Sequence, residues 1–237
     1  MVKVILLLCL AGLVFGAYIV DQPDATRGYD ACGFGPSGAY NYKNMGVYVS
    51  VCFCAGAGSQ TFQAIQFDTL NAIPHTAIID SAIITYTLWF QTSSSVVSTA
   101  QILTYWGEGV HNQTNATTGE MSWNCDSFPQ TWTAGGCNGI GTDRTAVLDS
   151  QVLATPYSNP TKIYVTATTQ AIVSSGTNYG YYQNAPSADQ IFGSSSDNGT
   201  ALKRPKLEVW YPDVPVLIAM KWRGYYDGKN LRTWGIK

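Results

Sequence analysis

The sequence predicts an all-β protein: a single antiparallel β-sandwich of the jelly-roll type, with one short helix and a C-terminal strand or hairpin extension. Only 12% of the residues are charged, which is few for helices with charged outer faces, and the 23 glycines suit short strands joined by turns. With 46% hydrophobic and 13% aromatic residues, the chain can bury a core. Several short stretches also alternate apolar and polar residues with a period of two, as strands do.

The chain begins with the features of a signal peptide. Met1-Val2-Lys3 carries a positive charge, an apolar run follows from Val4 to Phe15, and Gly16 offers a small residue at the cleavage point. This run is too short for a transmembrane helix, which needs about 20 apolar residues, and no later stretch supplies them. We therefore expect residues 1–16 to be removed from a secreted, extracellular protein that has no membrane span.

The clearest predicted strand is Ile84–Phe90. Its side chains alternate, so one side of the strand is expected to face a hydrophobic core and the other to face outward. Trp89 falls on the outward side with Thr85 and Thr87. The side chains expected in the core are Ile84, Tyr86, Leu88 and Phe90.

The same pattern predicts further strands and one helix. The helix is expected at Thr166–Ser174, because Ser175-Gly176 would end it with a glycine. About eight short strands in all are typical of a sandwich. The others, in chain order, are Val47–Phe53, Phe62–Phe67, Ala100–Tyr105, Ala146–Leu153, Lys162–Thr166, Tyr179–Gln183 and Lys206–Tyr211.

The predicted sandwich domain covers residues 17–211, a length that suits one large all-β domain. Residues 212–237 form a separate extension with five basic and two acidic residues, a balance of +3, in a chain whose net charge is −2. Within it we expect a strand at Val216–Met220 and a hairpin that turns at Asp227-Gly228. The remaining long segment, Gly107–Thr145, is expected to be a loop that is functional or held by a disulfide.

Five cysteines remain once the signal segment is removed, and an exported chain can keep disulfides. Cys125 and Cys137 bracket part of the long loop and are expected to pair. Cys32 is expected to pair with Cys52 or Cys54, which point to the same face of a regular strand. One thiol is left over, either as a buried free cysteine or as a bond between subunits.

Three Asn-x-Ser/Thr sequons occur, each in a polar stretch where an attached glycan would stay in water. They begin at Asn112, Asn115 and Asn198. In loops of an exported chain, three sequons modestly favour a source that glycosylates its proteins, and so a eukaryotic one.

The sequence offers little material for catalysis. The two histidines, His75 and His111, do not accompany a candidate nucleophile. Glu108 and Glu120 could form the carboxyl pair of a glycosidase, but the expected role of Glu108, in its Trp-Gly-Glu-Gly stretch, is to accept backbone N–H bonds of the loop. The spacing Cys52-Phe53-Cys54 is too tight for a zinc knuckle. We therefore predict neither catalytic residues nor a cofactor, and no metal motif is present, although loop oxygens could bind calcium without one.

Net charge also limits the partners. Nucleic-acid binding depends on clustered Lys and Arg, and a chain with a net charge of −2 gives no general attraction to phosphates. No nucleic-acid partner is expected.

A series of motifs follows one order along most of the predicted domain. They are Ala64-Ile-Gln-Phe-Asp68, Ile73-Pro74, Ile79-Asp-Ser-Ala-Ile-Ile-Thr-Tyr86, Trp106-Gly-Glu-Gly109, Met121-Ser-Trp-Asn124, Ile163-Tyr-Val-Thr166, Asn178-Tyr-Gly180, Phe192-Gly-Ser-Ser-Ser196 and Arg204-Pro-Lys-Leu207. In this order the chain resembles the DNRLRE domain, a disaggregatase-related β-sandwich family grouped with carbohydrate-binding modules. The resemblance implies a β-sandwich and a role in carbohydrate binding. The extension after Tyr211 and the sequon-containing part of the long loop lie outside the family pattern.

Sugar recognition uses flat aromatic faces against the apolar side of a pyranose ring. Trp89 and Trp210 are expected to project outward from their strands, and Tyr164 and Tyr182 alternate in a similar way. The same rings would also serve to cover the sheet, to pack against the extension or to form subunit contacts.

For acidic sugars, a cation beside the rings would pair with sugar carboxylates. Arg204, with Lys162 and Lys206, lies on or near predicted strands. Arg204 belongs to the Arg-Pro-Lys motif, so a structural role is its alternative.

Two functions from different classes follow. The first is a secreted, non-catalytic carbohydrate-binding protein of the cell surface or extracellular matrix, whose partners are polysaccharides or glycoprotein glycans. The second is a self-assembling structural subunit of an extracellular filament or coat, with the C-terminal extension making contacts between copies.

Overall fold

The computed structural model describes residues 16–23, 30–35, 43–44, 50–55, 60–156, 158–185, 190–212, 224–226 and 231–233. Three predicted features lie outside these ranges: residues 1–15 of the predicted signal segment, the strand predicted at Val216–Met220 and the turn predicted at Asp227-Gly228. Two short 3-10 turns, Asp68–Ala72 and Ala201–Lys203, accompany one helix, α1 (Thr166–Ser175). The strands are β1 (Gly16–Asp21), β2 (Asp30–Gly35), β3 (Lys43–Asn44), β4 (Ser50–Ala55), β5 (Gln60–Ile65), β6 (Ser81–Tyr86), β7 (Leu88–Gln91), β8 (Ser95–Gln101), β9 (Thr114–Asn115), β10 (Asp149–Leu153), β11 (Thr161–Tyr164), β12 (Tyr181–Asn184), β13 (Gln190–Ser194), β14 (Lys206–Pro212), β15 (Gly224–Tyr226) and β16 (Leu231–Thr233).

The predicted all-β sandwich with a single short helix is confirmed. One layer is a five-stranded sheet in the order β10-β8-β12-β5-β2. The other contains a four-stranded sheet, β1-β14-β6-β11, and a three-stranded sheet, β4-β13-β7. The strand pairs within these sheets are antiparallel, and antiparallel sheets of this kind commonly bury one face and expose the other.

The four-stranded and three-stranded sheets are successive parts of one layer. β7 begins two residues after β6 ends, with only Thr87 between them. β14 pairs with β6, and β13, which precedes β14 in the chain, pairs with β7. The Ser194 backbone N–H donates to the Thr87 carbonyl oxygen at 2.9 Å and bridges the junction.

The core lies between the two layers and consists of the inward side chains of both. β6 contributes Ala82, Ile84 and Tyr86, and Leu88 follows in β7, all of them buried. The predicted inward face of this strand is thus confirmed up to Leu88. The five-stranded sheet contributes Ile65 and other side chains from its inner face. Full burial of each aliphatic side chain of this size stabilises the fold by about 1.5–3 kcal/mol.

Helix α1 begins and ends almost as predicted. Gly176 ends it in the left-handed conformation with φ of 70°, and its N–H donates to the Val173 carbonyl oxygen. Glycine adopts this conformation without the penalty that a side chain imposes. Ile172 and Val173 bury the inner side of the helix in the core.

The long segment between β8 and β10 is a packed irregular layer. Its three tryptophans, Trp106, Trp123 and Trp132, are each no more than 6% exposed. They form a second core with Phe62 and Tyr182. Because Phe62 alternates with Ile65 of the first core along β5, this second core lies on the opposite face of the five-stranded sheet. Both faces of that sheet are therefore buried.

Two sheet edges are closed by amide side chains. The Gln151 side chain donates to the Lys162 carbonyl oxygen at 2.8 Å and accepts from the Tyr164 N–H at 3.0 Å, both on β11. The Asn159 side chain donates to the Leu88 carbonyl oxygen on β7 at 2.8 Å. These backbone groups lie at strand edges that a further strand could otherwise pair with.

Residues Gly16–Pro212 form one compact unit, and the described residues after Pro212 belong to a second unit. In the second unit β15 and β16 pair antiparallel, with Tyr225 opposite Arg232. Within the described ranges, no helix is long and apolar enough to cross a membrane.

Candidate functional site

The outer face of the four-stranded sheet gathers aromatic and charged side chains. Strand register places Tyr18 of β1, Trp210 of β14 and Ser81 of β6 side by side. Tyr164 of β11 lies two residues along, opposite Ile83. Successive side chains alternate between the two faces, and the neighbours of these residues enter the core, so all of them point outward. We call this face the platform; its rings are Tyr18, Trp210 and Tyr164, and its charged groups are Glu208, Lys206 and Lys162.

Tyr18 and Trp210 form one aromatic surface. Their ring centroids are 4.9 Å apart with an angle of 32° between the ring planes. Tyr18 is 48% exposed, whereas Trp210 is half-buried beneath its neighbours. The two rings pack against each other at a tilt, and a ring that is already ordered by such packing can receive the apolar side of a sugar ring at a low entropic cost.

Glu208 is the polar centre of the platform. Its carboxylate accepts a hydrogen bond from the Tyr18 hydroxyl at 2.6 Å and forms an ion pair with Lys206 at 3.1 Å. Partial burial acts to raise its pKa, but the hydrogen bonds from Tyr18 and Lys206 and the charges of Lys206 and Lys162 lower it below the usual value. The same hydrogen bond, helped by burial, raises the pKa of Tyr18 to about 12. At neutral pH the platform therefore presents a carboxylate and a phenol with fixed positions.

Tyr164 and Lys162 occupy the edge strand β11. Tyr164 is 55% exposed, so its ring is available to a ligand. Its backbone is fixed by Gln151, as described above. Lys162 lies in register with Thr85, which is also in register with Lys206, so the two lysines flank β6.

Trp89 is exposed as predicted but lies beyond the platform, in the three-stranded sheet. The register of β13 against β7 passes from Phe192–Phe90 to Gly193–Leu88, so Trp89 is an extra residue in a β-bulge. A bulge redirects side chains, and here both Trp89 and Phe90 are exposed. The prediction that Phe90 faces the core is therefore wrong.

The prediction that Tyr182 is available to a glycan is wrong. It was expected to point outward, and it does point away from the first core, but its ring is only 2% exposed. It stacks on Phe62 at 5.4 Å, and the Arg144 guanidinium lies 4.6 Å from its centroid. Tyr182 therefore belongs to the second core and is inaccessible to a glycan.

Arg204 stabilises the turn before β14, which is the structural role named above as the alternative to glycan binding. Its Nε donates to the Asn198 carbonyl oxygen at 2.8 Å, and its own carbonyl oxygen accepts from the Gln22 side chain at 3.2 Å. Asn198 uses its side-chain oxygen to accept the Thr200 N–H and its side-chain nitrogen to donate to Ser194. Of the sequon asparagines, Asn112 and Asn115 are the exposed ones.

The predicted disulfide between Cys125 and Cys137 is absent, because both are buried free thiols. The Cys137 sulfur points to the Asp143 carbonyl oxygen at 3.8 Å, and burial raises the pKa of both thiols. The long segment is held by aromatic packing instead of a covalent bond. The Cys32 thiol donates to the Gln63 side-chain oxygen at 3.2 Å, and the side chains of Cys52 and Cys54 lie outside the described residues.

Glu120 organises the sequon-containing part of the long segment. It accepts the backbone N–H groups of Val110 and Thr117 and contacts His111 Nδ1 at 2.7 Å. Although burial acts to raise the pKa of Glu120, these hydrogen bonds lower it. A carboxylate with these partners holds a loop together. The other histidine, His75, contacts the Val173 carbonyl oxygen at 3.0 Å.

A second group of carboxyls joins β2, the long segment and the turn after β13. Oxygens of Asp30, Glu108 and Asp197 lie within 4.8 Å of one another. Burial raises the pKa of Asp30 to about 7 and that of Glu108 to about 9, and it also raises the pKa of Asp197. Ser196 donates to Asp30 through its backbone N–H and its hydroxyl. Protons would therefore compete with any cation for these oxygens near neutral pH.

Sequence reasoning missed Tyr18, which completes the platform. Its strand begins at Gly16, the last residue of the predicted signal segment, and the short alternation Ala17-Tyr18-Ile19-Val20 was its only local signal. A comparison with protein-family models finds no match for the chain, and a search of curated proteins finds no significant relative.

Proposed function

We propose that this chain is an exported, non-catalytic carbohydrate-binding protein that holds a polysaccharide or glycoprotein glycan on the platform. The observation that carries the proposal is the exposed ring of Tyr18 packed against the half-buried ring of Trp210, joined on the same face by the exposed ring of Tyr164 and by polar groups that can bind hydroxyls. Rings receive the apolar side of a sugar, and Glu208 with the two lysines offers hydrogen bonds at its rim. The order of motifs that resembles the DNRLRE domain supports the same function.

The polar groups of the platform are suited to a ligand with groups that both donate and accept hydrogen bonds. Glu208 accepts two hydrogen bonds within the face and still presents carboxylate lone pairs, while Lys162 and Lys206 donate. Hydroxyl groups both donate and accept, so they match this combination.

Alanine at Tyr164 or at Trp210 is expected to weaken glycan binding about tenfold or more, because each ring would lose stacking and burial worth roughly 1.5–3 kcal/mol. Binding is measured by affinity electrophoresis and pull-down with the full chain against cellulose, chitin, β-1,3-glucan, mannan and hyaluronan. Tyr105→Ala is the matched control, since Tyr105 is 60% exposed but lies outside the platform.

Tyr164→Ala is included because a loss of binding in this variant is not explained by misfolding. The Tyr164 ring is more exposed than that of Trp210, so its removal leaves no cavity in the core. Circular dichroism should match the parent protein for all three variants. Equal retention by the parent protein and by both platform variants would rule out the platform as the binding surface, and no retention on any polysaccharide would reject the function.

A further inference from the structure

One line of outward side chains continues from the platform into the three-stranded sheet. Along β6 the outward positions include Ser81 and Thr85, and the buried residues Tyr86 and Leu88 on either side of Thr87 continue the alternation across the junction. The next outward position is Trp89. Trp89 therefore lies on the same side of the layer as the platform.

Trp89 is the centre of a second ring surface. Its ring stacks on Phe192 at 5.5 Å with an interplanar angle of 16°, and Phe90 lies 6.1 Å from Phe192. Trp89 is 52% exposed and Phe90 is 38% exposed. Both strands beside Phe192 carry an extra residue in the pairing, Trp89 in β7 and Phe53 in β4. The backbone irregularity thus places neighbouring aromatic rings on the outer face, where regular pairing would turn one of them inward.

The two ring surfaces are separated along the strand direction. Trp210 lies in register with Ser81, eight residues before Trp89, which corresponds to about 26 Å at 3.3 Å per residue. Between them lie Ile83, Thr85 and Thr87, with Tyr164 opposite Ile83 and with Lys162 and Lys206 flanking Thr85. A face with rings along its length and hydroxyl and ammonium groups between them matches an extended polymer of repeating sugar units.

We infer that the layer binds a polysaccharide lengthwise, over several sugar units, with Trp210 and Tyr18 at one end and Trp89 and Phe192 at the other. This inference rests on the proposed function and extends its site. An added β-strand is a poorer occupant of the second surface, because the Leu88 carbonyl oxygen at the edge of β7 already accepts from Asn159. A disaccharide would reach only one of the two ring surfaces.

The test compares ligands of different length. Isothermal titration with cello-, chito- and hyaluronan oligosaccharides of two and six units is expected to show the hexasaccharide of the preferred series binding at least about tenfold more tightly than its disaccharide. Trp89→Ala should bring hexasaccharide affinity down towards the disaccharide value. Tyr105→Ala should leave both affinities unchanged.

The outcomes separate this inference from the proposed function. Equal affinity for both lengths, or a hexasaccharide affinity that is unchanged in Trp89→Ala but lost in Trp210→Ala, overturns lengthwise binding and leaves the platform intact as a shorter site. Failure of every oligosaccharide and polysaccharide to bind overturns both. A Trp89→Ala variant that changes only the oligomeric state in gel filtration would show that the second surface contacts another copy of the chain, which also overturns the inference.

Discussion

Replacing Trp132 with alanine is expected to lower the free energy of unfolding by about 3–5 kcal/mol, the cost of removing a buried tryptophan from a packed core. Trp132 is 4% exposed and packs edge-on against Phe62 at 5.9 Å. Its indole N–H also donates to the Ser122 carbonyl oxygen at 3.0 Å, which would lose that partner. Urea unfolding followed by circular dichroism measures the change, and limited chymotrypsin digestion shows whether the long segment loosens first.

Trp132→Phe and Trp89→Ala are the controls. The first keeps a ring in the core but removes the hydrogen bond, so its effect should be intermediate. The second removes a tryptophan that is half exposed and should cost much less than Trp132→Ala. A Trp132→Ala variant within about 1 kcal/mol of the parent protein would contradict the description of residues 102–148 as a packed layer.

Thermal stability is expected to fall as the pH rises from about 5 to about 8, because buried carboxyls bind protons more tightly in the folded state than in the unfolded state. Burial raises the pKa of Asp30 from 3.8 to about 7. Its contribution is greatest below the unfolded pKa and is lost as the pH rises towards the folded value. The loss is on the order of 2–4 kcal/mol for Asp30, which corresponds to roughly 5–10 °C in Tm for a domain of this size. Differential scanning calorimetry between these pH values measures it.

Other carboxyl groups also change the stability with pH, some in the same direction as Asp30 and some in the opposite direction. Glu108 and Asp197 also have raised pKa values and act in the same direction, although the charge of Arg204 opposes the shift of Asp197. Glu120 and Glu208 have lowered pKa values, so their contribution is present above the unfolded pKa and is lost at acidic pH. Stability should therefore be greatest on the mildly acidic side of neutrality.

Asp30→Asn isolates the contribution of Asp30. An amide keeps an oxygen for the Ser196 N–H but does not ionise, so the variant should lose less stability between pH 5 and pH 8 than the parent protein. Asp68→Asn, at an exposed aspartate, should follow the parent protein. If Asp30→Asn reproduces the parent pH dependence, Asp30 is not the source of the proton linkage.

Local pattern was sufficient for β6 and for the helix, whereas β1, β2 and β13 were not among the predicted strands. The alternation in β6 predicted its inward face because a strand with one side in a core must follow a period of two. The helix was predicted from its C-terminal glycine, which has the expected left-handed conformation. Both signals depend only on residues near one another in the chain.

Features that depend on contacts between distant parts of the chain could not be predicted from local pattern. Tyr182 does alternate outward from the first core, but the sequence pattern does not show that a distant segment covers the other face of its sheet. Phe90 follows the alternation in sequence, yet the bulge at Trp89 shifts it out of phase. Tyr18 is part of the platform only because β1 pairs with β14. Tyr18 and its hydrogen-bond partner Glu208 are 190 residues apart in the chain, so no local pattern links them.

The amide side chains at the sheet edges bear on how this protein behaves when crowded. A polymer gathers many copies of its binding protein into a small volume, where exposed strand edges would favour fibril growth. Gln151 occupies both a donor and an acceptor on β11, and Asn159 occupies an acceptor on β7. Under the function that we propose, the domain would coat a polysaccharide through its outer face, and these amide side chains would keep part of the β11 and β7 edges from pairing with a second copy.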